Sequence, residues 1–136
     1  MDRTLVLVKP DGVERGLIGE ILSRFERRGL RLVAAQFRTL DREIAAQHYA
    51  EHVGKAFYDG LVDFITRGPV MALVIEGPSD TWQVVRAMMG PTDPAVALPG
   101  TIRGDLGLVM QQNLIHGSDS AESATREIAI FFPALD

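Results

Sequence analysis

At 136 residues the chain has the size of one ordinary domain, expected to span 1–136, and its 46% hydrophobic content suffices for a core without covalent staples. Cysteine is absent, which excludes disulfides and thiolate metal centres and fits a reducing, cytoplasmic setting. The net charge of −4 argues against nucleic acid as the main ligand, although local basic clusters can still hold phosphate.

The first apolar run, Leu5-Val6-Leu7-Val8, is apolar at every position and stops at the turn signal Lys9-Pro10-Asp11-Gly12, which predicts a central strand buried on both faces. It is too short for a signal peptide's apolar region or a membrane span, and no longer apolar window follows, so no membrane association is expected. Ile18, Ile21, Leu22 and Phe25 recur at helical spacing, and Gly29 ends that helix. Residues Leu30 to Leu40 read as a second strand, with Leu32, Ala34 and Phe37 among its apolar members. Asp41 caps a short helix carrying Ile44, Ala45 and His48. Phe57, Leu61, Phe64 and Ile65 mark another helix, stopped by Gly68-Pro69; Val70 to Ile75 is a third strand; and Trp82, Val85 and Met89 share one face of a helix starting near Asp80.

Between Gly90 and Gly104 the texture changes: Gly90-Pro91, Pro94 and Pro99-Gly100 mark a long ordered loop, the kind that carries function in a compact domain. Leu114-Ile115 is a short strand, and Ser118-Asp119-Ser120 caps a last helix, with Asp119 and Glu122 at capping-box spacing. Strands alternating with helices predict one sheet with helices packed on it, compatible with a split βαβ, ferredoxin-like core, though periodicity alone does not settle the topology.

His116 follows two apolar strand residues and precedes Gly117, which permits close backbone approach. The N–H groups of the following helix favour an anion beside its imidazole, and neutral imidazole is a competent nucleophile near pH 7. Taken alone, the residue reads more readily as a plain strand-end histidine than as a nucleophile. Glu127 falls on the border of the buried face of the last helix, where a carboxylate can accept a ring N–H and fix the tautomer of His116. Lys9 ends a buried strand, Arg86 sits at the margin of an apolar helix face, and Thr92 and Arg103 stand at the two ends of the Gly/Pro-rich loop. Singly these are ordinary surface groups; together they supply three cations and a hydroxyl, a set suited to a polyphosphate. Phe57 is either the first core residue of its helix or a stacking surface for a flat base. No phosphate loop of the Gly-x-x-x-x-Gly-Lys type is present, and His48 and His52, though spaced as zinc ligands can be, have Tyr49 where a zinc hydrolase carries glutamate.

Three stretches carry a resemblance. Thr4 to Gly12, Pro99-Gly100-Thr101-Ile102-Arg103-Gly104-Asp105, and Asn113-Leu114-Ile115-His116-Gly117-Ser118-Asp119-Ser120 resemble, in order and spacing, the opening strand with its lysine, the loop arginine and the phosphohistidine signature of the nucleoside diphosphate kinase family. The resemblance implies an α+β, ferredoxin-like βαββαβ sandwich with a four-stranded antiparallel sheet. It implies ping-pong transfer of the γ-phosphate from a nucleoside triphosphate, typically ATP, to a nucleoside diphosphate, with low base selectivity. His116 is then the nucleophile, Glu127 its orienting partner and Ser118 a neighbour. Arg86, Thr92, Arg103 and the Tyr49 hydroxyl hold phosphates, Lys9 and Asn113 reach the 3′-hydroxyl and the phosphate in transfer, and Phe57 stacks on the base. Mg2+ is implied as cofactor, held mainly through nucleotide phosphates with no dedicated protein ligands. A homo-oligomer is implied, a hexamer or tetramer built from dimers. Two positions depart from the pattern: Ala56 replaces the proline usual before the stacking aromatic, and Pro91 stands before Thr92. A histidine phosphatase would carry Arg-His-Gly near its N-terminus, and this chain has Ile115-His116-Gly117 near its end; a ferredoxin-like module that binds nucleotide without phosphoenzyme is the non-enzymatic rival. If His116 is the nucleophile, phosphorylation falls as pH drops through its pKa, which nearby cations lower and Glu127 raises.

Overall fold

The computed structural model describes residues 1–135. Strand β1 (Asp2–Val8) is the interior strand the sequence predicts: Leu5, Val6, Leu7 and Val8 are all fully buried. Alternation sends these four residues into two cores. Val6 and Val8 meet Ile21 and Phe25 of α2 (Ile18–Arg27) and Val85 and Met89 of α5 (Thr81–Met89). Leu5 and Leu7 meet Ala45 of α3 (Arg42–His48), Val62 and Ile65 of α4 (Tyr58–Thr66) and Phe131 of α7 (Ala121–Phe131). Each fully buried large side chain, such as Phe25 or Phe131, contributes about 1.5–3 kcal/mol.

Strand β2 (Arg31–Thr39), strand β3 (Pro69–Gly77) and strand β4 (Ile115–Gly117) complete an antiparallel sheet of order β2-β3-β1-β4. With α2 joining β1 to β2 and α5 joining β3 to β4, this is the ferredoxin-like βαββαβ arrangement, with α3 and α4 inserted between β2 and β3. None of the helices in the described residues is long and apolar enough to cross a membrane.

Several local expectations change. The Lys9-Pro10-Asp11-Gly12 turn is the start of a short helix, α1 (Pro10–Glu14), with proline at its first turn where a missing N–H costs nothing. Phe37 is 55% exposed, because β2 is an edge strand bent by a bulge between Leu32 and Ala34. The stretch from Gly90 to Gly104 is not one continuous loop. Asp93 caps a 3-10 turn at Pro94–Val96, and Thr101 caps α6 (Ile102–Leu106), so Arg103 lies inside a helix. Gly104 is required there: a Cβ would sit 2.0 Å from the Leu98 carbonyl oxygen. The last strand begins one residue later than expected, because Leu114 adopts a left-handed φ of 73° and only Ile115–Gly117 pair with β1. The cap of α7 also shifts by one: the Ser120 hydroxyl, not Asp119, accepts the N–H of Ser123, at 3.0 Å, and Asp119 accepts the Ser123 hydroxyl instead.

Candidate active site

His116 lies opposite Leu7 in the β1–β4 ladder and shares that residue's face of the sheet, the face covered by α3 and α7. Its Nε2 is 2.6 Å from Oε1 of Glu127. A carboxylate can only accept here, so Nε2 carries the proton and Nδ1 keeps the lone pair. The same Glu127 oxygen accepts the Ser118 hydroxyl at 3.0 Å, and Ser118 is anchored to β1 through Leu5 N–H and C=O. Ser118 and Glu127 are both buried. Burial raises the Glu127 pKa, opposed by His48, Ser118 and Arg126. The imidazole of His116 is held well below its usual 6.5, first by burial and then by Lys9, Arg86 and Arg103; Asp119 opposes them.

These three cations line one cleft of about 210 Å³ with His116, Glu127, Thr92, Asn113 and Tyr49. Lys9 Nζ donates to Asn113 Oδ1 at 2.8 Å, and Asn113 Nδ2 donates to the Thr92 carbonyl at 3.1 Å, so Asn113 ties the lysine to the far wall. Burial and the neighbouring Arg103 charge push Lys9 from 10.5 down to about 8, with Asp11 acting the other way. Arg86 donates to the Gly117 carbonyl at 2.9 Å. Arg103 is almost fully buried; its guanidinium bonds the carbonyls of Asn113, Gly90 and Ile115 at 3.1, 3.0 and 2.6 Å. It therefore clamps the chain that delivers His116 as well as lending charge to the cleft. The Tyr49 phenol is pushed up to about 12, mainly by burial and secondarily by Glu127, which keeps it a hydrogen-bond donor.

Two expected site residues lie outside the cleft lining: Ser118, buried behind Glu127, and Phe57. Phe57 precedes α4, is half exposed, and stands edge-on to His52 with ring centroids 5.3 Å apart; it is not the first core residue of its helix. Three neighbours escaped the sequence reading as site residues. Asp119 lies at the rim. Asp11 is buried and accepts the N–H of Leu114 at 3.0 Å. His48 sits edge-on to His116, with centroids 4.5 Å apart, and neither of its ring nitrogens has a hydrogen-bond partner among the described residues. Its place on the apolar face of α3, beside Ala45, was the available signal. His48, His116 and Glu127 bring ligand atoms within 4.8 Å of one another, and His52 does not belong to that cluster. The surrounding cations Lys9, Arg86, Arg103 and Arg126 favour an anion over a divalent cation there. Of the cleft's carboxylates, Glu127 is engaged and Glu51 and Asp119 are exposed at the rim, which fits a Mg2+ arriving on phosphates. A larger groove of about 460 Å³ lies between Trp82, the N-terminal residues and α7; its charged residues are engaged elsewhere, Asp2 with the Asp80 N–H and Arg3 with Glu76.

Residues 2–136 match the family model described as "Nucleoside diphosphate kinase". Relatives of that name include proteins of Thermobifida fusca, 58% identical over 135 residues and 99% of both chains, and Mycobacterium tuberculosis, 60% identical over 133 residues and 97% of both. Among solved structures, a halophilic nucleoside diphosphate kinase from Halobacterium salinarum in complex with CDP superposes with a TM-score of 0.93 at 56% identity, covering 96% of this chain and 87% of that one. A nucleoside diphosphate kinase family protein from Babesia bovis gives 0.94 at 51%, covering 97% and 88%.

Proposed function

The chain belongs to the nucleoside diphosphate kinase family, moving γ-phosphate from nucleoside triphosphates to diphosphates, and on that premise we propose how its own residues do so. His116 is the nucleophile. In the first half-reaction its Nδ1 lone pair attacks the γ-phosphorus, the bond from that phosphorus to the β–γ bridging oxygen breaks, and the diphosphate leaves a phosphohistidine behind. In the second, an oxygen of another nucleoside diphosphate attacks the phosphohistidine and Nδ1 departs with its electron pair. Throughout, the Nε2–H stays on Glu127, whose charge stabilises the positive ring that forms; Ser118 fixes the carboxylate. The observation that carries this reading is the 2.6 Å bond between Nε2 and Glu127, which leaves Nδ1 as the reactive nitrogen in a cleft lined by three cations.

Lys9 contacts the phosphate in transfer, with Asn113 beside it at the sugar 3′-hydroxyl. Arg86, Thr92 and Arg103 hold the remaining phosphates, helped by the Tyr49 hydroxyl, and Phe57 stacks on the base. Such a division suits phosphoryl transfer, which asks for in-line placement and charge stabilisation. Stacking does not read base edges, so base selectivity is low. Mg2+, bound through the nucleotide phosphates, supplies charge neutralisation there. The chain, 1–136, is read as one domain, and its lack of cysteine fits a reducing compartment, to which we assign it as a cytoplasmic protein. We assign it to a dimer-based tetramer or hexamer, supported by the open β2 edge with Phe37 exposed and by the exposed apolar side chains of Val96, Leu98 and Leu108.

The test is phosphoenzyme formation. Incubation with γ-labelled ATP and Mg2+ gives an acid-labile, base-stable protein label that added GDP discharges, and His116→Gln takes no label. Label retained by His116→Gln, or nucleotide binding without any phosphoenzyme, sinks the assignment.

A further inference from the structure

The backbone that delivers His116 is held in a conformation its residues do not favour. Leu114 sits at φ 73°, where a side chain with a Cβ crowds its own carbonyl. Its carbonyl accepts the Lys9 N–H at 2.8 Å, and Arg103 bonds the carbonyls on either side of it. Its N–H goes to Asp11 Oδ2, in a buried hydrogen bond spanning 103 residues of sequence. Gly12 permits this close approach, since a Cβ there would lie 3.0 Å from the Leu114 oxygen and 2.8 Å from Val8. Asp11 itself is 2% exposed, and its other oxygen, Oδ1, is buried with no hydrogen-bond partner among the described residues. A carboxylate this buried and half-satisfied is costly as mere scaffold, where a neutral acceptor would serve. What distinguishes it from a neutral acceptor is its charge, and both Lys9 and Arg103 feel it.

We propose that Asp11 is a positioning residue for phosphoryl transfer: it pins Leu114 in the left-handed turn that sets His116, and it places a buried carboxylate at the turn that Lys9 bonds through its own backbone N–H. The inference rests on the reading of His116 as nucleophile and Lys9 as phosphate contact. The charged or titratable groups that act with Lys9 come from four elements: Asp11 on α1, Arg103 on α6, His116 on β4 and His48 on α3. Only Asp11 is an anion among them. Because Lys9 titrates near 8, transfer requiring the ammonium declines as pH rises through that value.

Asp11→Asn keeps an acceptor for the Leu114 N–H and removes the charge; Asp11→Ala removes both. In single-turnover phosphorylation, Asp11→Asn shifts the alkaline limb of the rate profile to lower pH, because the Asp11 charge raises the Lys9 pKa. Asp11→Ala adds a loss of about 100-fold in rate, as small misplacements of reacting groups do. The Lys9 titration is also followed directly by NMR of 13C-labelled lysine in wild type and Asp11→Asn, a readout that does not depend on turnover. A Lys9 midpoint and alkaline limb unchanged in Asp11→Asn overturn the charge role. A wild-type rate in folded Asp11→Ala overturns the pinning role, and rate losses matched by the unfolded fraction, with an intact pH profile, reduce Asp11 to a scaffold residue. Failure of wild type to label His116 instead breaks the parent reading and leaves the NMR comparison standing on its own.

Discussion

Around His116 the polar groups are tied across the fold: Lys9 to Asn113 over 104 residues, Leu114 to Asp11 over 103, Leu5 to Ser118 over 113. At the outer lip, from Tyr49 to Tyr58, the bonds are local. His52 N–H reaches the Tyr49 carbonyl, Lys55 N–H the His52 carbonyl and Tyr58 N–H the Lys55 carbonyl, while Lys55 Nζ lies 3.4 Å from the ring of His52. Val53 and Phe57 are more than half exposed. On the proposed assignment of the phosphates to the inner end and the base to the lip, the contrast follows from what each end does. In-line transfer fails on ångström errors, so the phosphate end is cross-braced by long-range bonds. A flat base asks only for a flat surface, so the lip can be assembled from neighbours in sequence.

The largest effect is expected at the braced end. Glu127→Gln lowers the single-turnover phosphorylation rate by about 10- to 100-fold, while nucleotide affinity stays near wild type, because the carboxylate touches the nucleophile and not the substrate. An undiminished rate would mean that bracing His116 contributes nothing to chemistry. A smaller effect is expected at the lip: Phe57→Ala raises the nucleotide KM by about 10-fold for purines and pyrimidines alike, with stability within about 0.5 kcal/mol of wild type, read from urea midpoints. A loss confined to one base would show the lip to be more discriminating than a stacking surface. The smallest effect is in pH. The imidazole of His116 is depressed, so it is already neutral at its ordinary pKa, and single-turnover phosphorylation stays level as pH falls through 6.5, declining only below it. A half-maximal rate at 6.5 would show that Glu127 outweighs burial and the cations.

Legibility in the sequence follows the same division. The two-sided burial of Leu5 to Val8 and the helical spacing of Ile18, Ile21 and Phe25 could be read because each pattern repeats over enough residues. The helices of five residues, Pro10–Glu14 and Ile102–Leu106, could not: they are shorter than the window in which a period emerges, and they begin with proline or follow Pro99-Gly100, ordinarily loop signals. The cap shift from Asp119 to Ser120 is a one-residue choice among adjacent capping residues. Lys9, Arg86, Arg103, Asn113 and His116 were each identifiable, and the cleft brings them together. Their wiring was not, since a guanidinium that bonds three backbone carbonyls looks in sequence like one that faces solvent. Asp11 and His48 were hidden for the opposite reason: they resemble a turn residue and a helix-face residue, and only packing shows them beside the nucleophile's turn.

The gathering of Lys9, Arg86 and Arg103 into one cleft has a consequence for how substrates arrive, because the chain as a whole carries −4. A nucleotide polyphosphate far from the surface meets a repulsive monopole; closer in, the low-dielectric walls of the cleft focus the opposite sign. The crossover falls within roughly one Debye length of the mouth, about 8 Å at physiological ionic strength. Diffusing anions are thus sorted by where they touch the surface, and productive encounters concentrate at the opening above His116.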